Sequence, residues 1–358
     1  MTKRINTARA LRKSQSFAVS AFRFILIICL MYMILYPLLR MIAEAIVHPH
    51  VLGSVGSLWI PAMATTDNFV VAWHVMNYLP SLGFTTLVMA AIMLLQILNA
   101  SLAGYAFSRL RFKGINILFA LVLVGIVVPN QVLFLPQSIM FRHYDFFGIL
   151  SSIEGTGFAN ALRFHIPIPG RDPWYPFGWL INGPWNLLGD ARTMFVMAGL
   201  GQGLAGGIFI YIFRQFFRGL PKELEEAAYV DGAGVIRTFF TIAMPMSKPA
   251  ILTVGTLSFI WNWNDSFFQS VFDPRHLYMR MRITHLNSPG GGGTTIMQQA
   301  INQVQANLPD SIVTLTTPIY DASIINVANL LSVLPLIILF LLIQRQFVEG
   351  VERSGIVG

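Results

Sequence analysis

Residues 214–249 have the sequence RQFFRGLPKELEEAAYVDGAGVIRTFFTIAMPMSKP, and this polar segment lies between two long apolar stretches. Pro221 suits the start of a helix, because the N–H that proline lacks has no partner in a first turn. Three glutamates follow at positions where carboxylates stabilise the positive end of a helix. Gly232 can adopt the positive φ that ends a helix. We therefore predict two short helices with a turn at Gly232, the second over 233–244, a pattern that by itself is typical of an ordinary connector at a membrane surface.

The composition of the 358-residue chain is that of an integral membrane protein. Apolar residues make up 55% of it and charged residues 11%, whereas a soluble domain carries roughly 25% charged residues. The apolar runs are long and unbroken, which favours membrane-spanning helices over a barrel of alternating strands. Cys29 is the single cysteine, so the chain can form neither an internal disulfide nor a cysteine-based zinc site.

Six apolar stretches are near or above the roughly 20 residues that a helix needs to cross a bilayer. They are Phe24–Ala43, Leu82–Ser108, Ile115–Met140, Thr193–Phe213, Ala250–Phe272 and Ser323–Ile343. The first follows a basic segment, as a signal peptide does, but it is too long and no small-residue cleavage site follows it. We expect it to be retained as the first of six transmembrane helices.

The distribution of Lys and Arg predicts the orientation. Segments 1–23, 109–114, 214–249 and 344–358 together hold 16 of the 24 Lys and Arg residues, although the remaining connections are longer. Because cytoplasmic loops carry the excess of basic residues, we place these segments and both termini in the cytoplasm of a cell-membrane protein. The net charge of +8 is thereby accounted for by topology, and we expect contact with membrane lipid and none with nucleic acid.

The domain organisation follows from this topology. A cytoplasmic basic N-terminus occupies 1–23, and a six-helix transmembrane domain occupies 24–358. Two extracytoplasmic insertions, 141–192 and 273–322, are longer than connections usually are. The first is dense in Trp, Tyr and Pro, a composition that argues against disorder and predicts an ordered cap.

Several motifs resemble those of ABC importer permeases, in particular the carbohydrate-importer branch. The EAA signature of that family is matched by Glu226-Ala227-Ala228, Gly232, Ile242 and Pro245. Three residues separate Ala228 from Gly232, and nine separate Gly232 from Ile242. Further matches are Ala103–Leu110, Pro129-Asn130-Gln131 with Pro136, Arg214–Pro221, Trp263-Asn264-Asp265 with Phe267, and Gln344–Gly350. Met244 replaces the usual leucine with a residue of similar volume, and the two outer insertions are not typical of that branch.

The resemblance implies a type I ABC importer permease fold that is all-α, integral to the membrane and enlarged by extracytoplasmic loops. It implies that segment 214–249 couples to an ATPase through a defined set of residues. These are Glu225, Glu226, Ala227, Ala228, Asp231, Gly232, Ile242 and Pro245. The expected partners are a second permease subunit in a heterodimer, an ATPase dimer and an extracytoplasmic solute-binding protein. The sequence contains no G-x-x-x-x-G-K-[ST] loop, so we expect no enzyme activity and no cofactor on this chain, with ATP and Mg²⁺ bound by the partner ATPase.

Four residues near the end of the fifth span are candidates for the translocation path: Asn262, Trp263, Asn264 and Asp265. Asp265 is the one carboxylate well within a span, where ionisable residues are often functional. A structural role, such as capping a helix irregularity, is an equally open interpretation. Six residues of the fourth span, Gly201-Gln202-Gly203-Leu204-Ala205-Gly206, match a dinucleotide fingerprint, but without its strand context they indicate close helix packing. The seven histidines show no helical i, i+4 pair, and we predict no metal site.

Two other classes of function compete with an ATP-driven importer of sugars. A secondary transporter usually has ion-coupling carboxylates, broken helices and repeated halves, and the sequence shows little charge in its spans and no clear repeat. A membrane enzyme needs a cluster of His, Asp or Glu near one face of the bilayer, and the acids between 223 and 231 are accounted for by helix ends and docking. An ABC permease for a solute other than a carbohydrate is the remaining alternative.

Overall fold

The structure, a computed structural model, describes residues 2–48, 63–142, 187–274, 278–286 and 318–355. Within these ranges the chain is helical, and its one β-type feature is an isolated antiparallel bridge between Val47 and Ala64. The helices, numbered in chain order, are α1 (Thr2–Ala45), α2 (Asp67–Val75), α3 (Tyr78–Arg109), α4 (Ile115–Val127), α5 (Asn130–Arg142), α6 (Arg192–Gly199), α7 (Gly206–Gly219), α8 (Glu223–Val230), α9 (Val235–Met246), α10 (Lys248–Asn264), α11 (Phe267–Phe272), α12 (Met279–Leu286) and α13 (Pro318–Gly355). Most of the two predicted outer insertions lies outside the described residues.

Three helices are long and apolar enough to cross a bilayer without interruption. They are Val19–Ala45 within α1, Tyr78–Arg109 and Ser323–Arg345 within α13, and they correspond to the first, second and sixth predicted spans. The other three predicted spans are bent or broken.

The third predicted span bends by 110° between Ile115–Val127 and Gln131–Arg142. Val128, which ends α4, has extended backbone angles of φ −71° and ψ 121°. Pro129 follows it, and the ring of a proline disfavours the helical conformation in the residue before it. A motif that resembles those of importer permeases therefore marks a change of direction in the chain.

The fourth predicted span is two helices, α6 and α7, separated by an unwound segment over Leu200–Ala205. Gly201 has φ +75° and Ala205 has φ +58°, angles that a right-handed helix does not contain. The prediction of one continuous span is wrong at Gly201 and Gly203, which lie in the break, but the predicted close packing is found there, because an added Cβ would lie 2.7 Å from a side-chain atom of α3 at either glycine. Glycine is chosen here for its backbone freedom and its small size together.

The fifth predicted span also ends early, because α10 stops at Asn264 and α11 begins only at Phe267. Asp265 takes an extended conformation, and one of its carboxylate oxygens accepts a hydrogen bond from the backbone N–H of Phe268 at 2.8 Å. Phe268 lies in the first turn of α11, and Asp265 caps that turn from the position before the N-cap residue Ser266, which is a capping role of the kind that the sequence left open.

Contacts divide the chain into two compact units, and the first comprises Met1–Tyr78 with His285–Leu334. In this unit the buried side-chain amide of Asn68 donates hydrogen bonds to the carbonyls of Ala45 and Val47 at 3.0 and 2.8 Å. Asn326 donates to Glu44 at 2.5 Å. The end of α1 therefore has partners for backbone carbonyls that a helix terminus leaves free.

The second unit, Leu79–Thr284 with Pro335–Gly358, has an aromatic core between α3, α7, α9 and α10. Phe209, Phe213 and Phe217 project from α7 and are almost fully buried against Tyr105 and Phe239. Helices α3 and α7 approach closely at Gly104, where an added Cβ would lie 2.7 Å from the Cβ of Phe213. This core extends to the predicted docking segment and holds it against the helices that precede it.

Candidate functional site

The first helix of the predicted docking segment is α8, which begins at Glu223 and ends before Gly232. Gly232 has φ +79°, so the predicted helix end at this glycine is confirmed. The N–H of Ala233 donates to the carbonyl of Ala228 at 2.9 Å, and the N–H of Gly232 donates to Tyr229 at 3.1 Å. This pair of bonds is the Schellman arrangement, which closes a helix and turns the chain sharply.

The second helix, α9, covers Val235–Met246 and not the predicted 233–244. It contains a π-helical turn at Phe239–Ala243, directly before Pro245. A proline within a helix removes one hydrogen bond and crowds the carbonyl four residues before it. The wider turn gives the ring room, and the helix continues through Pro245 instead of ending there.

The glutamates of α8 have different surroundings. Glu225 is buried, with Oε1 2.8 Å from Nε of Arg109 in α3, and the two side chains are 8% and 7% exposed. The N–H of Arg109 does not point along this contact, so it is an ion pair without an aligned hydrogen bond. Tyr105 donates to the other carboxylate oxygen of Glu225 at 3.3 Å. Glu225 therefore fixes α8 to the end of α3, and the structure gives it an anchoring position.

Further contacts fasten the same region. Nη2 of Arg109 donates to the carbonyl of Leu220, just before α8, at 2.7 Å. In α7, Arg214 donates to the carbonyl of Phe107 and lies 3.7 Å from the centre of the Phe119 ring. The sequence placed Arg109 and Tyr105 in a motif of the second span without giving them a role. The sequence signal for Arg109 and Tyr105 was that their motif and the docking segment, far along the chain, both resemble motifs of the same family.

The remaining predicted coupling residues lie outward or at the edge of the core. Glu226, Ala227, Asp231, Gly232 and Pro245 are exposed, and Ala228 and Ile242 are half-buried. Apolar side chains stand beside them at the surface, with exposed fractions of 88% for Val230, 75% for Ile236 and 51% for Phe240. We call Glu226, Ala227, Val230, Ile236 and Phe240 the docking surface. It combines one carboxylate with apolar groups that the described part of the chain leaves exposed.

A cavity of about 800 Å³ lies beside the broken fourth span. Its walls come from α4, α5, the unwound segment with the start of α7, and the end of α10. Among its lining residues are Gln137, Gln202, Gly203, Trp261, Asn264 and Asp265. The cavity is mostly apolar with a few polar groups, which is the usual character of a small-molecule site.

The structure brings two of the four predicted path residues to this cavity and not the other two. Asn264 and Asp265 line it. Trp263 is buried, with its ring 5.6 Å from that of Phe259. Asn262 points toward Gln96, a buried residue of α3 that the sequence analysis did not select. Within the described ranges no group of three His, Cys, Asp or Glu side chains could hold a metal ion.

Comparison with known proteins gives three consistent findings. The sequence profile of the family described as "binding-protein-dependent transport system inner membrane component" matches residues 96–353. The arabinooligosaccharides transport system permease protein AraQ of Halalkalibacterium halodurans is 24% identical over 302 residues, which cover 83% of this chain and 81% of that protein. The melibiose/raffinose/stachyose import permease protein MelC of Bacillus subtilis is 25% identical over 308 residues, 86% of each chain.

The fold resembles a chain in the crystal structure of a bacterial ABC transporter involved in the import of the acidic polysaccharide alginate. The TM-score is 0.57 at 17% identity, and the match covers 92% of this chain and 96% of that chain. At this identity the likeness concerns the fold, which is the type I importer permease fold that the motifs predicted.

Proposed function

The chain belongs to the family of binding-protein-dependent transport system inner membrane components, and we propose that it carries a sugar or oligosaccharide across the membrane with energy from a partner ATPase. The observation that carries this proposal is the docking surface. It is exposed, while α8, which bears Glu226, Ala227 and Val230 of this surface, is fixed to α3 through the buried Arg109–Glu225 pair. A force applied at the surface would reach a membrane helix through that contact.

The partners follow from this division of labour. ATP and Mg²⁺ bind to an ATPase dimer, a second permease subunit completes the translocation path, and an extracytoplasmic solute-binding protein delivers the solute. Nucleotide binding biases the assembly between two conformations, and this chain itself performs no chemistry. Both termini and segment 214–249 lie in the cytoplasm, in agreement with the excess of Lys and Arg there.

The sugar assignment is supported by the relatives and by the chemistry of the cavity. Amide and carboxylate groups at Asn264, Gln137 and Asp265 can exchange hydrogen bonds with hydroxyl groups. Trp261 lies on the same helix as Asn264 and offers an aromatic surface to the cavity. Its ring is stacked against that of Phe209, with ring centres 5.7 Å apart. Polar groups placed in a largely apolar pocket are suited to a neutral, hydroxyl-rich solute.

A secondary transporter remains the second candidate, and the break in the fourth span is the observation that favours it, because such transporters bind solute at discontinuous helices. The intramembrane carboxylate that this class needs would be Asp265, which here caps α11. Reconstitution separates the two. The chain alone in liposomes, with an ion gradient and no ATPase, is expected to move no solute, and gradient-driven uptake would favour the second candidate.

Two measurements test the proposal directly. Co-expression with the ATPase and the second permease of the same operon, followed by purification in mild detergent, is expected to give a stable complex. Isolation of the chain without the ATPase would contradict the coupling role.

A thermal-shift screen of the operon's solute-binding protein is expected to show stabilisation by neutral oligosaccharides. Stabilisation by amino acids, peptides or inorganic ions alone would exclude a sugar and leave the importer role intact.

A further inference from the structure

The break in the fourth span creates a demand for hydrogen-bond partners. An unwound segment inside a bilayer loses the internal bonds of a helix, and an unpaired backbone group there is strongly unfavourable because no water can solvate it. Such segments persist where protein or a water-filled cavity supplies partners. Two carbonyl groups there need a hydrogen-bond donor from elsewhere. One belongs to Gly199, the last residue of α6, and the other to Leu204, within the break.

Gln96 supplies the partner for Leu204. Its side chain is 2% exposed, and its Nε2 donates to the Leu204 carbonyl at 3.0 Å. Its Oε1 accepts from the hydroxyl of Ser258 at 2.5 Å and from Nδ2 of Asn262 at 3.1 Å. With the oxygen held by α10 and the nitrogen turned to the break, the amide of Gln96 has one orientation that satisfies every contact.

Asn99, one turn further along α3, supplies the partner for Gly199. Its Nδ2 donates to that carbonyl at 2.7 Å. The two amides also fit the glycines of the break closely. An added Cβ would lie 2.7 Å from Oδ1 of Asn99 at Gly201, and 2.7 Å from Nε2 of Gln96 at Gly203. Residues larger than glycine would therefore displace the amides that hold the segment.

We propose that Gln96 and Asn99 are positioning residues for transport. Their side-chain amides hold the unwound segment Leu200–Ala205 in the conformation that forms one wall of the 800 Å³ cavity. Gln202 and Gly203 line the cavity from this segment, whereas Gln96 and Asn99 act from behind it. The consequence for transport rests on the proposed function, namely that the cavity is the solute path, but the structural claim does not.

Hydrogen–deuterium exchange of the purified permease complex tests the structural claim without a solute. Gln96→Met approximately keeps the volume of the side chain and removes its hydrogen bonds, and Asn99→Leu removes the second amide with a side chain that branches at the same carbon. Each substitution is expected to speed exchange of the backbone amides of 200–206 by about tenfold, the effect of losing one buried hydrogen bond. The melting temperature is expected to fall as well, because a buried carbonyl loses its partner, so the location of the faster exchange is the deciding readout.

Two controls make the result specific. Ser101→Ala alters a buried polar residue on the same helix whose hydroxyl donates to the carbonyl of Leu98 in its own turn, and exchange at 200–206 is expected to stay unchanged. Ser258→Ala removes a partner of Oε1 but leaves the donor to Leu204 in place, so its effect is expected to be much smaller than that of Gln96→Met. Unchanged exchange in Gln96→Met would overturn the proposal, and so would faster exchange spread evenly over α3 and α7, which would make Gln96 a packing residue.

Uptake by the reconstituted complex forms the second arm, with radiolabelled maltotriose and raffinose as probes. We expect the complex with Gln96→Met to transport fewer probe molecules for each ATP hydrolysed, while ATP hydrolysis continues. If exchange changes as expected and the unmodified complex moves neither probe, the sugar assignment fails and the positioning role stands. If uptake per ATP in the variant equals that of the unmodified complex, the positioning role in transport is wrong.

Discussion

At the scale of single residues, the link between the docking segment and the membrane is the buried pair of Arg109 and Glu225. Removing one partner of a buried ion pair leaves an uncompensated charge, which destabilises a protein by ~3–5 kcal/mol. We therefore expect Arg109→Met and Glu225→Met to lower the melting temperature of the purified chain substantially. The double variant is expected to recover most of that loss, because apolar replacement of a whole buried pair is often neutral.

An exposed ion pair provides the matched control. Arg192 and Asp190 are 2.9 Å apart, but their side chains are 40% and 27% exposed, and exposed pairs contribute about 1 kcal/mol or less. Arg192→Met should therefore change the melting temperature little. If the single variants of the buried pair were as mild as this control, Glu225 would not anchor α8.

Gly232 gives a second prediction, based on backbone conformation alone. Nothing lies within 4 Å of a Cβ added there, but its φ is +79°, a region that disfavours residues with a side chain by about 1–2 kcal/mol. Gly232→Ala should destabilise the chain by about that amount, measured by thermal unfolding. Gly234→Ala is the control, because that glycine is equally uncrowded but has φ −75°. Equal effects of the two substitutions would contradict the role of positive φ.

The two neighbouring glutamates show what could and what could not be predicted from the sequence for single residues. The motif identified Glu226 and its spacing to Gly232, and the turn at that glycine is as predicted. Position in a first helical turn explains both Glu225 and Glu226 by the same dipole argument. Which one faces the core depends on the contact with Arg109, over a hundred positions away, and a local pattern carries no such information.

At the scale of elements, the docking surface should govern assembly and not folding. Ile236 is 75% exposed, so Ile236→Asp is expected to leave the melting temperature of the isolated chain almost unchanged. The same substitution places a charge in an apolar interface, and we expect it to abolish co-purification of the ATPase. Glu226→Arg should have the same pair of effects by reversing a charge.

The control for this surface is Phe112→Asp, which alters an exposed apolar residue in the connection between α3 and α4. This connection belongs to another basic segment predicted to be cytoplasmic, so a non-specific effect of the added charge would appear there as well. Loss of the ATPase with Phe112→Asp and its retention with Ile236→Asp would place the docking surface elsewhere.

The broken fourth span gives the last element-scale prediction. A Cβ added at Gly206 would lie 2.4 Å from the carbonyl oxygen of Gly201, whereas nothing lies within 4 Å of one added at Gly199. Overpacking of this kind destabilises by about 1–3 kcal/mol. Gly206→Ala should therefore lower the melting temperature and Gly199→Ala should not. Equal tolerance would indicate that the unwound segment does not contact the start of α7 as described.

Hydropathy predicted where the spans lie but not that three of them are bent or interrupted. Apolar composition is shared by a straight helix and by two short helices joined by an unwound segment. The bend at Pro129 has a local cause that the sequence displays. The break at Leu200–Ala205 depends on amides from Gln96 and Asn99 on another helix, and these two residues looked like ordinary polar positions in an apolar run.

At the scale of the whole molecule, family membership, fold and energy source agree. The chain has the fold of an importer permease, the proposed docking surface lies within segment 214–249, and the sequence lacks a phosphate-binding loop for ATP. The sequence predicted the fold class because the relevant motifs are local and their spacing is strict. Of the four path residues predicted at the end of the fifth span, two line the cavity and two do not. Asn264 and Asp265 face the cavity, while Trp263 and Asn262 turn into the protein.

The central claim is that ATPase force enters at the docking surface, and site-directed cross-linking tests it most directly. Cys29 is the only native cysteine, so Cys29→Ser provides a background in which Glu226→Cys is the single thiol. In the complex with the operon's ATPase, we predict that a thiol-to-amine cross-linker joins position 226 to the ATPase and that nucleotide changes the yield. Absence of that cross-link in an intact, ATP-hydrolysing complex would contradict the account.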